Sequence, residues 1–129
     1  MHAKGTFEVK FDGEETLDKA AAIARMSLVK RFHGDLEADS RGEMLATMEP
    51  NRSGAYAALE RVTGTLNGRD GSFVLLHNGT MTAEGQVLSV TVVPGSAKGE
   101  LEGLAGKMTI NIVDRKHLYE FDYTLPSNR

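Results

Sequence analysis

The length, composition and charge of the chain limit both its architecture and its partners. Its 129 residues include 15 Lys and Arg against 18 Asp and Glu, a net charge of −3 at pH 7, and they contain no cysteine. A chain of this length suits one domain with its own core, which we place at residues 1–129. The acidic balance argues against nucleic acid as a partner, and the lack of cysteine excludes disulfides and cysteine metal ligands.

No segment has the marks of export or of membrane insertion. The N-terminal residues alternate in polarity and lack the apolar run of a signal peptide, and no stretch approaches the roughly 20 apolar residues of a spanning helix. We therefore expect a soluble cytoplasmic protein without a membrane partner. Glycine is frequent at 14 residues and proline is rare at 3, a combination typical of many tight turns.

The first half of the chain shows the period of two that is typical of half-buried strands. The predicted strands cover residues 6–11, 25–33, 36–48 and 55–66. Residues 14–24 have mixed spacing, and we predict a loop that enters the second strand. Gly42 lies inside the third strand and predicts a bulge or bend there.

The second half continues the pattern after a strong turn signal. Asn67-Gly68 and Asp70-Gly71 supply the left-handed conformations that hairpin turns require. The strands predicted beyond that turn cover residues 72–76, continuing toward Met81, and then residues 86–93, 107–113 and 117–125. Between them, Ser96 is predicted to cap a short helical turn over 96–104 that faces Leu101 and Leu104 inward and closes one end of the fold.

Eight strands at regular spacing, joined by glycine turns and without a long helix, predict an all-β protein. Such strands form a sandwich or a closed barrel, and a closed eight-stranded antiparallel β-barrel is favoured, because closure leaves no exposed strand edge. The interior of such a barrel is either filled by side chains or holds one small ligand.

Polar residues interrupt the apolar faces of several predicted strands. A buried Lys or Glu is costly unless it is paired, so a pair of Lys30 and Glu60 inside the barrel would be either a structural ion pair or the polar end of a pocket. The alternative is that a bulge shifts these side chains to the surface. The candidate ligand-binding residues are Lys30, Tyr56, Glu60, His77, His117 and Tyr119.

Three histidines could meet inside a barrel and form a zinc site with an open position. They are His33, His77 and His117, and they lie on different predicted strands. Nothing in their spacing requires a metal, so no metal site and no other cofactor is predicted.

Several stretches together resemble a known family. Residues 25–36, 59–73 and 93–106, with the closing strand 117–123, resemble the small bacterial proteins grouped as domain of unknown function 3224. The resemblance covers nearly the whole chain and implies a calycin-like, eight-stranded barrel similar to plant allene oxide cyclase. The family has no assigned reaction, and sharing a barrel with a cyclase does not imply a shared activity.

The function that these features favour is the binding of a small apolar molecule inside the barrel. Met26, Met44, Met48 and Met108 have inward phase and would line an adaptable pocket or fill gaps in the core. The alternatives are an isomerase or cyclase in which Glu60 stabilises developing charge, and a structural or assembly module that has no ligand. Whether the protein is an enzyme, and whether it forms a homo-oligomer, stay open at this point.

Overall fold

Alternating apolar and polar side chains form nine β-strands in residues 1–126, the part of the chain that the computed structural model describes. In chain order the strands are β1 (His2–Asp18), β2 (Ile23–Gly34), β3 (Leu36–Met48), β4 (Gly54–Leu66), β5 (Arg69–Thr82), β6 (Gly85–Val92), β7 (Lys98–Gly99), β8 (Ala105–Val113) and β9 (Lys116–Thr124). The predicted domain runs to residue 129, and residues 127–129 lie outside the described part. No helix within residues 1–126 is long and apolar enough to cross a membrane.

The eight long strands close into an antiparallel barrel. Each pairs with its neighbours in the order β1, β2, β3, β4, β5, β6, β8 and β9, and β9 pairs back onto β1. The short β7 adds to the end of β5. The strand pairing between β6 and β8 is limited to two residue pairs, Val90 with Met108 and Thr91 with Lys107. This closed barrel confirms the predicted fold class.

The loop predicted over 14–24 is wrong for most of its length. β1 continues to Asp18, and Glu15 pairs with Arg25 of β2. The register of this pairing shifts twice, first between Asp12 and Glu15. Extra residues in one strand interrupt the period of two, which is why the pattern did not indicate a strand there.

The bulge predicted at Gly42 is also wrong. Gly42 pairs in unbroken register with Leu28 on β2 and with Glu60 on β4. A Cβ atom at this position would clash with the carbonyl oxygen of Leu59 and would lie 2.7 Å from the Cβ of Glu60. The glycine therefore allows β3 and β4 to approach closely beside Glu60.

The segment predicted as a helical turn over 96–104 is not helical. It contains β7 and hydrogen-bonded turns, one of them from the N–H of Leu104 to the carbonyl of Leu101. Ser96, expected to cap a helix, uses its hydroxyl to accept a hydrogen bond from the N–H of Val74 at 3.0 Å. The inward orientation of Leu101 and Leu104 is confirmed, since both are buried in the core.

The two ends of the barrel differ in how they are filled. At the closed end lie the short β2–β3 connection, the hairpin turn at Asn67-Gly68 and the segment 93–104. The predicted hairpin turn is confirmed at Asn67-Gly68, with φ of 47° and 85°, but Asp70 and Gly71 belong to β5 and do not have the predicted left-handed conformation. The largest side chains that fill this end are Phe32, Leu36, Leu66, Phe73, Leu101, Tyr119, Phe121 and Tyr123. The other end, which we call the mouth, carries the turns at 19–22, 49–53, 83–84 and 114–115.

Candidate functional site

The half of the barrel interior next to the mouth is not filled by side chains. A cavity of about 520 Å³ opens there, within the range of roughly 300–1,000 Å³ that small-molecule sites occupy. Its wall is mainly apolar and includes Phe11, Ala24, Met26, Leu28, Met44, Ala46, Ala58, Met81, Leu88 and Ile110. Lys30 and His77 also line it, and the inward residues beyond them on their strands, Phe32 and Leu75, belong to the packed core. These two polar side chains therefore mark the inner end of the cavity.

Four adjacent strands each contribute one buried polar side chain at this inner end. Together Lys30 on β2, Ser40 on β3, Glu60 on β4 and His77 on β5 form what we call the polar cluster. Lys30 Nζ donates to Glu60 Oε1 at 2.8 Å, and the Ser40 hydroxyl donates to Glu60 Oε2 at 2.5 Å. His77 Nε2 also hydrogen bonds to Glu60 Oε1. Of the two alternatives left open by the sequence, Lys30 and Glu60 are thus paired inside the barrel and not shifted to its surface.

The partners of Glu60 determine its charge. Burial alone would raise the pKa of this carboxyl, but the hydrogen bond from His77 and the positive charge of Lys30 outweigh burial and lower the pKa from 4.5 to about 2. Glu60 is therefore a carboxylate at neutral pH, and a carboxylate only accepts hydrogen bonds. It follows that Nε2 is the nitrogen of His77 that carries a proton.

Two aromatic rings lie close to the ammonium of Lys30. Its Nζ lies 4.8 Å from the ring centre of Phe7 and 5.7 Å from that of Phe32. Such contacts stabilise a desolvated cation through the negative face of the ring. Lys30 is thus held in place by one carboxylate and two rings, while its side chain still lines the cavity.

The six candidate residues do not all line the cavity. Lys30, Tyr56, His77 and His117 line the cavity, whereas the side chain of Glu60 is fully buried behind Lys30 and His77. Burial raises the pKa of the half-buried Tyr56, and the negative charge of Glu60 adds to that effect.

Tyr119 lies outside the cavity wall and ties the closed end together. Its hydroxyl accepts a hydrogen bond from the N–H of Leu36 at 2.9 Å and donates to the carbonyl of His33 at 3.0 Å. Burial raises the pKa of this phenol to about 12, so it stays protonated and keeps its donor. These contacts connect β9 to the turn between β2 and β3.

The three histidines considered as metal ligands do not meet. His33 contacts Glu8 at 2.9 Å, and both side chains are largely exposed on the outside of the barrel. His77 and His117 line the cavity. Within residues 1–126 no group of three or more His, Cys, Asp or Glu side chains is arranged to hold a metal ion.

The structure adds residues that the sequence reasoning missed. Ser40 has the same phase on β3 as the buried Ala38, and that phase would have been enough to find it. Met81 lines the cavity although it was not among the predicted methionines. Of those that were, Met26, Met44 and Met48 line the cavity, whereas Met108 packs in the core.

Comparison with known proteins finds relatives over nearly the whole chain. Residues 3–123 match the profile of a family described as protein of unknown function (DUF3224). The fold is similar to the crystal structure of a protein with unknown function from the DUF3224 family of Shewanella oneidensis MR-1. The TM-score is 0.88, the sequence identity is 43%, and 98% of each chain is covered. No curated protein matches the chain.

Proposed function

We propose a function from the geometry of the site, because the chain belongs to the DUF3224 family, whose description assigns no activity. The protein binds one small, mainly apolar molecule in the cavity at the mouth of the barrel. The observation that carries this proposal is the cavity of about 520 Å³ with its apolar wall and the polar cluster at its inner end. An apolar wall with a few fixed polar groups is the usual composition of a small-molecule site.

The placement of charge supports this proposal. Lys30 and Glu60 form a buried ion pair, and burying such a pair stabilises a fold less well than apolar packing of similar volume often does. The pair is nevertheless placed beside open space and not within the packed closed end. A role in orienting a bound molecule explains that position.

The test is a titration with the neutral apolar dye N-phenyl-1-naphthylamine, whose fluorescence rises on leaving water. Ala46 lines the cavity from β3, so we expect Ala46→Phe to fill part of the cavity and to weaken dye binding at least tenfold. The matched control is Ala57→Phe on β4, because Ala57 is exposed on the outer face and pairs with Leu45 beside Ala46. Equal binding by the wild type and both variants, or no binding by any, would contradict the proposal.

Isomerisation of the bound molecule is a second candidate function, and one observation favours it. The carboxylate of Glu60 orients the imidazole of His77, which lines the cavity, in the arrangement typical of a histidine that moves a proton. Glu60 itself is shielded from the cavity, so it would act as a positioning residue. The test is turnover of an identified ligand by Glu60→Gln, and turnover equal to wild type across the pH range would rule this function out.

A further inference from the structure

The inner end of the cavity carries a hydrogen-bond donor on Lys30 and an acceptor on His77, and both side chains bind the same oxygen of Glu60. Lys30 uses one of its three N–H groups for Glu60 and its side chain lines the cavity, so a second N–H group can donate to a bound molecule. His77 donates through Nε2, so in the neutral ring Nδ1 is an acceptor. Nδ1 makes no hydrogen bond within residues 1–126, where every fully buried side-chain nitrogen or oxygen has a partner. Nδ1 therefore faces the open cavity.

The group that matches this pair is a carboxyl group. Its carbonyl oxygen accepts from Lys30, and its second oxygen shares a proton with Nδ1 of His77. A carboxylate without that proton would add a negative charge to a buried cluster in which Lys30 and Glu60 already cancel. Because an uncompensated charge is costly in a site shielded from water, the proton enters with the ligand.

We propose that the cavity binds an apolar monocarboxylic acid, with its carboxyl group on Lys30 and His77 and with one proton taken up on binding above neutral pH. This inference rests on the proposed function and specifies the ligand class. The complex has the same proton count whether the shared proton is drawn on the ligand oxygen or on Nδ1.

Among the described residues, five other charged or titratable groups share the site with His77. The charged or titratable groups that face His77 or line the same cavity are Lys30 from β2, Tyr56 and Glu60 from β4, His117 from β9 and Glu14 from β1. The residue of β6 that pairs with His77, Val90, is apolar. His117 is the other group that could take up the proton, so the experiment includes it.

The experiment is calorimetric titration at pH 8 with octanoic acid, 1-octanol and methyl octanoate, which share one apolar tail. We expect the acid to bind at least tenfold more tightly than the alcohol or the ester. Its heat in phosphate and in Tris buffer should show uptake of one proton. Because one proton is taken up, its affinity should fall by about tenfold between pH 8 and pH 9.

Variants of the protein identify the histidine that is responsible for the proton uptake. His77→Gln keeps an amide donor for Glu60 but has no titratable nitrogen, so proton uptake and the advantage of the acid should be lost. His33→Gln removes a surface histidine that contacts Glu8 in a similar way and should behave as wild type. Uptake that persists in His77→Gln, or that is lost only in His117→Gln, would overturn the assignment.

Titration of the wild-type protein with the three ligands tests the inference even if a variant does not fold. Equal affinity for the acid, alcohol and ester, or tight binding of the acid without proton uptake, would overturn it. If the dye binds in the cavity but octanoic acid does not, the ligand class is wrong and the proposed function stands. If neither binds, both fail.

Discussion

Glu60 organises the polar cluster because its two oxygens accept every hydrogen bond that holds the cluster together. Lys30, Ser40 and His77 come from three other strands, and each donates to this one carboxylate. Removing one donor leaves the buried negative charge of Glu60 less well compensated. Such a change destabilises a fold more than replacing the whole cluster by apolar side chains does. The cluster therefore couples four strands at the level where the cavity begins.

Lys30→Met should lower the free energy of unfolding by about 3 kcal/mol, because it leaves Glu60 without its cationic partner in a buried site. The matched control is Arg31→Met, the next residue on the same strand, whose pair with Glu37 is largely exposed. Such exposed pairs contribute less than about 1 kcal/mol. Urea denaturation at pH 7 measures both, and equal losses would contradict the account.

The pH dependence of stability should show the ionisation of Glu60. The pKa of this carboxyl is about 2 in the folded chain against 4.5 in the unfolded chain, so its stabilising effect is complete above 4.5 and is lost as the pH falls toward 2. The shift corresponds to about 3 kcal/mol. Urea denaturation between pH 7 and pH 2 should show the wild-type stability converging on that of Glu60→Gln, and parallel curves would rule this contribution out.

At the scale of single residues, the sequence pattern predicts which face a side chain lies on but not its depth in the barrel. Alternation placed Lys30, Glu60 and Tyr119 inward, and all three are buried. Depth depends on the register between strands and on the stagger that closes the barrel. For that reason the sequence did not distinguish Tyr119, at the closed end, from His117, on the cavity wall.

Among the strands, β3 and β4 form the pair that brings the cluster together. They pair without a register shift from Leu36 with Leu66 to Met48 with Gly54. The missing side chain of Gly42 lets them approach closely at Glu60. The pairing of β3 with β4, which brings Ser40 to Glu60, thus depends on Gly42.

Gly42→Ala should destabilise the protein by about 1–3 kcal/mol, because the new methyl group overlaps the backbone of β4 and the strands must separate. The control is Arg41→Ala, the exposed neighbour on β3, which should change stability by less than about 0.5 kcal/mol. Thermal unfolding measures both. A neutral Gly42→Ala would show that the close approach is not needed.

Two elements show where local sequence patterns are insufficient. The end of β1 is a strand only because it pairs with β2, as when Glu15 pairs with Arg25, and bulges disrupt its alternation. The segment 96–104 has a helix-capping pattern, but Ser96 bonds Val74 of β5 instead. In both cases contacts distant in sequence decide the local structure.

At the scale of the whole molecule, the closed barrel follows from strand number, alternation and turns, and the sequence predicted it. The cavity could not be predicted from the sequence pattern, because it depends on how side-chain sizes are distributed along the barrel axis. Rings such as Phe73 and Phe121 fill the closed end, whereas small residues such as Ala24, Ala46 and Ala58 line the mouth half. The register between the strands brings these small residues to the same half of the barrel. The likeness to allene oxide cyclase stays a prediction.

The most direct test of the cavity as the binding site uses the methyl groups of methionine. Met26, Met44, Met48 and Met81 line the cavity, while Met108 is buried in the packed core and Met1 is exposed. In NMR spectra of protein labelled with ¹³C at the methionine methyl groups, added N-phenyl-1-naphthylamine should shift the four cavity resonances and leave those of Met1 and Met108 in place. Shifts confined to Met1 or Met108, or equal shifts of all six, would contradict a ligand site inside the mouth of the barrel.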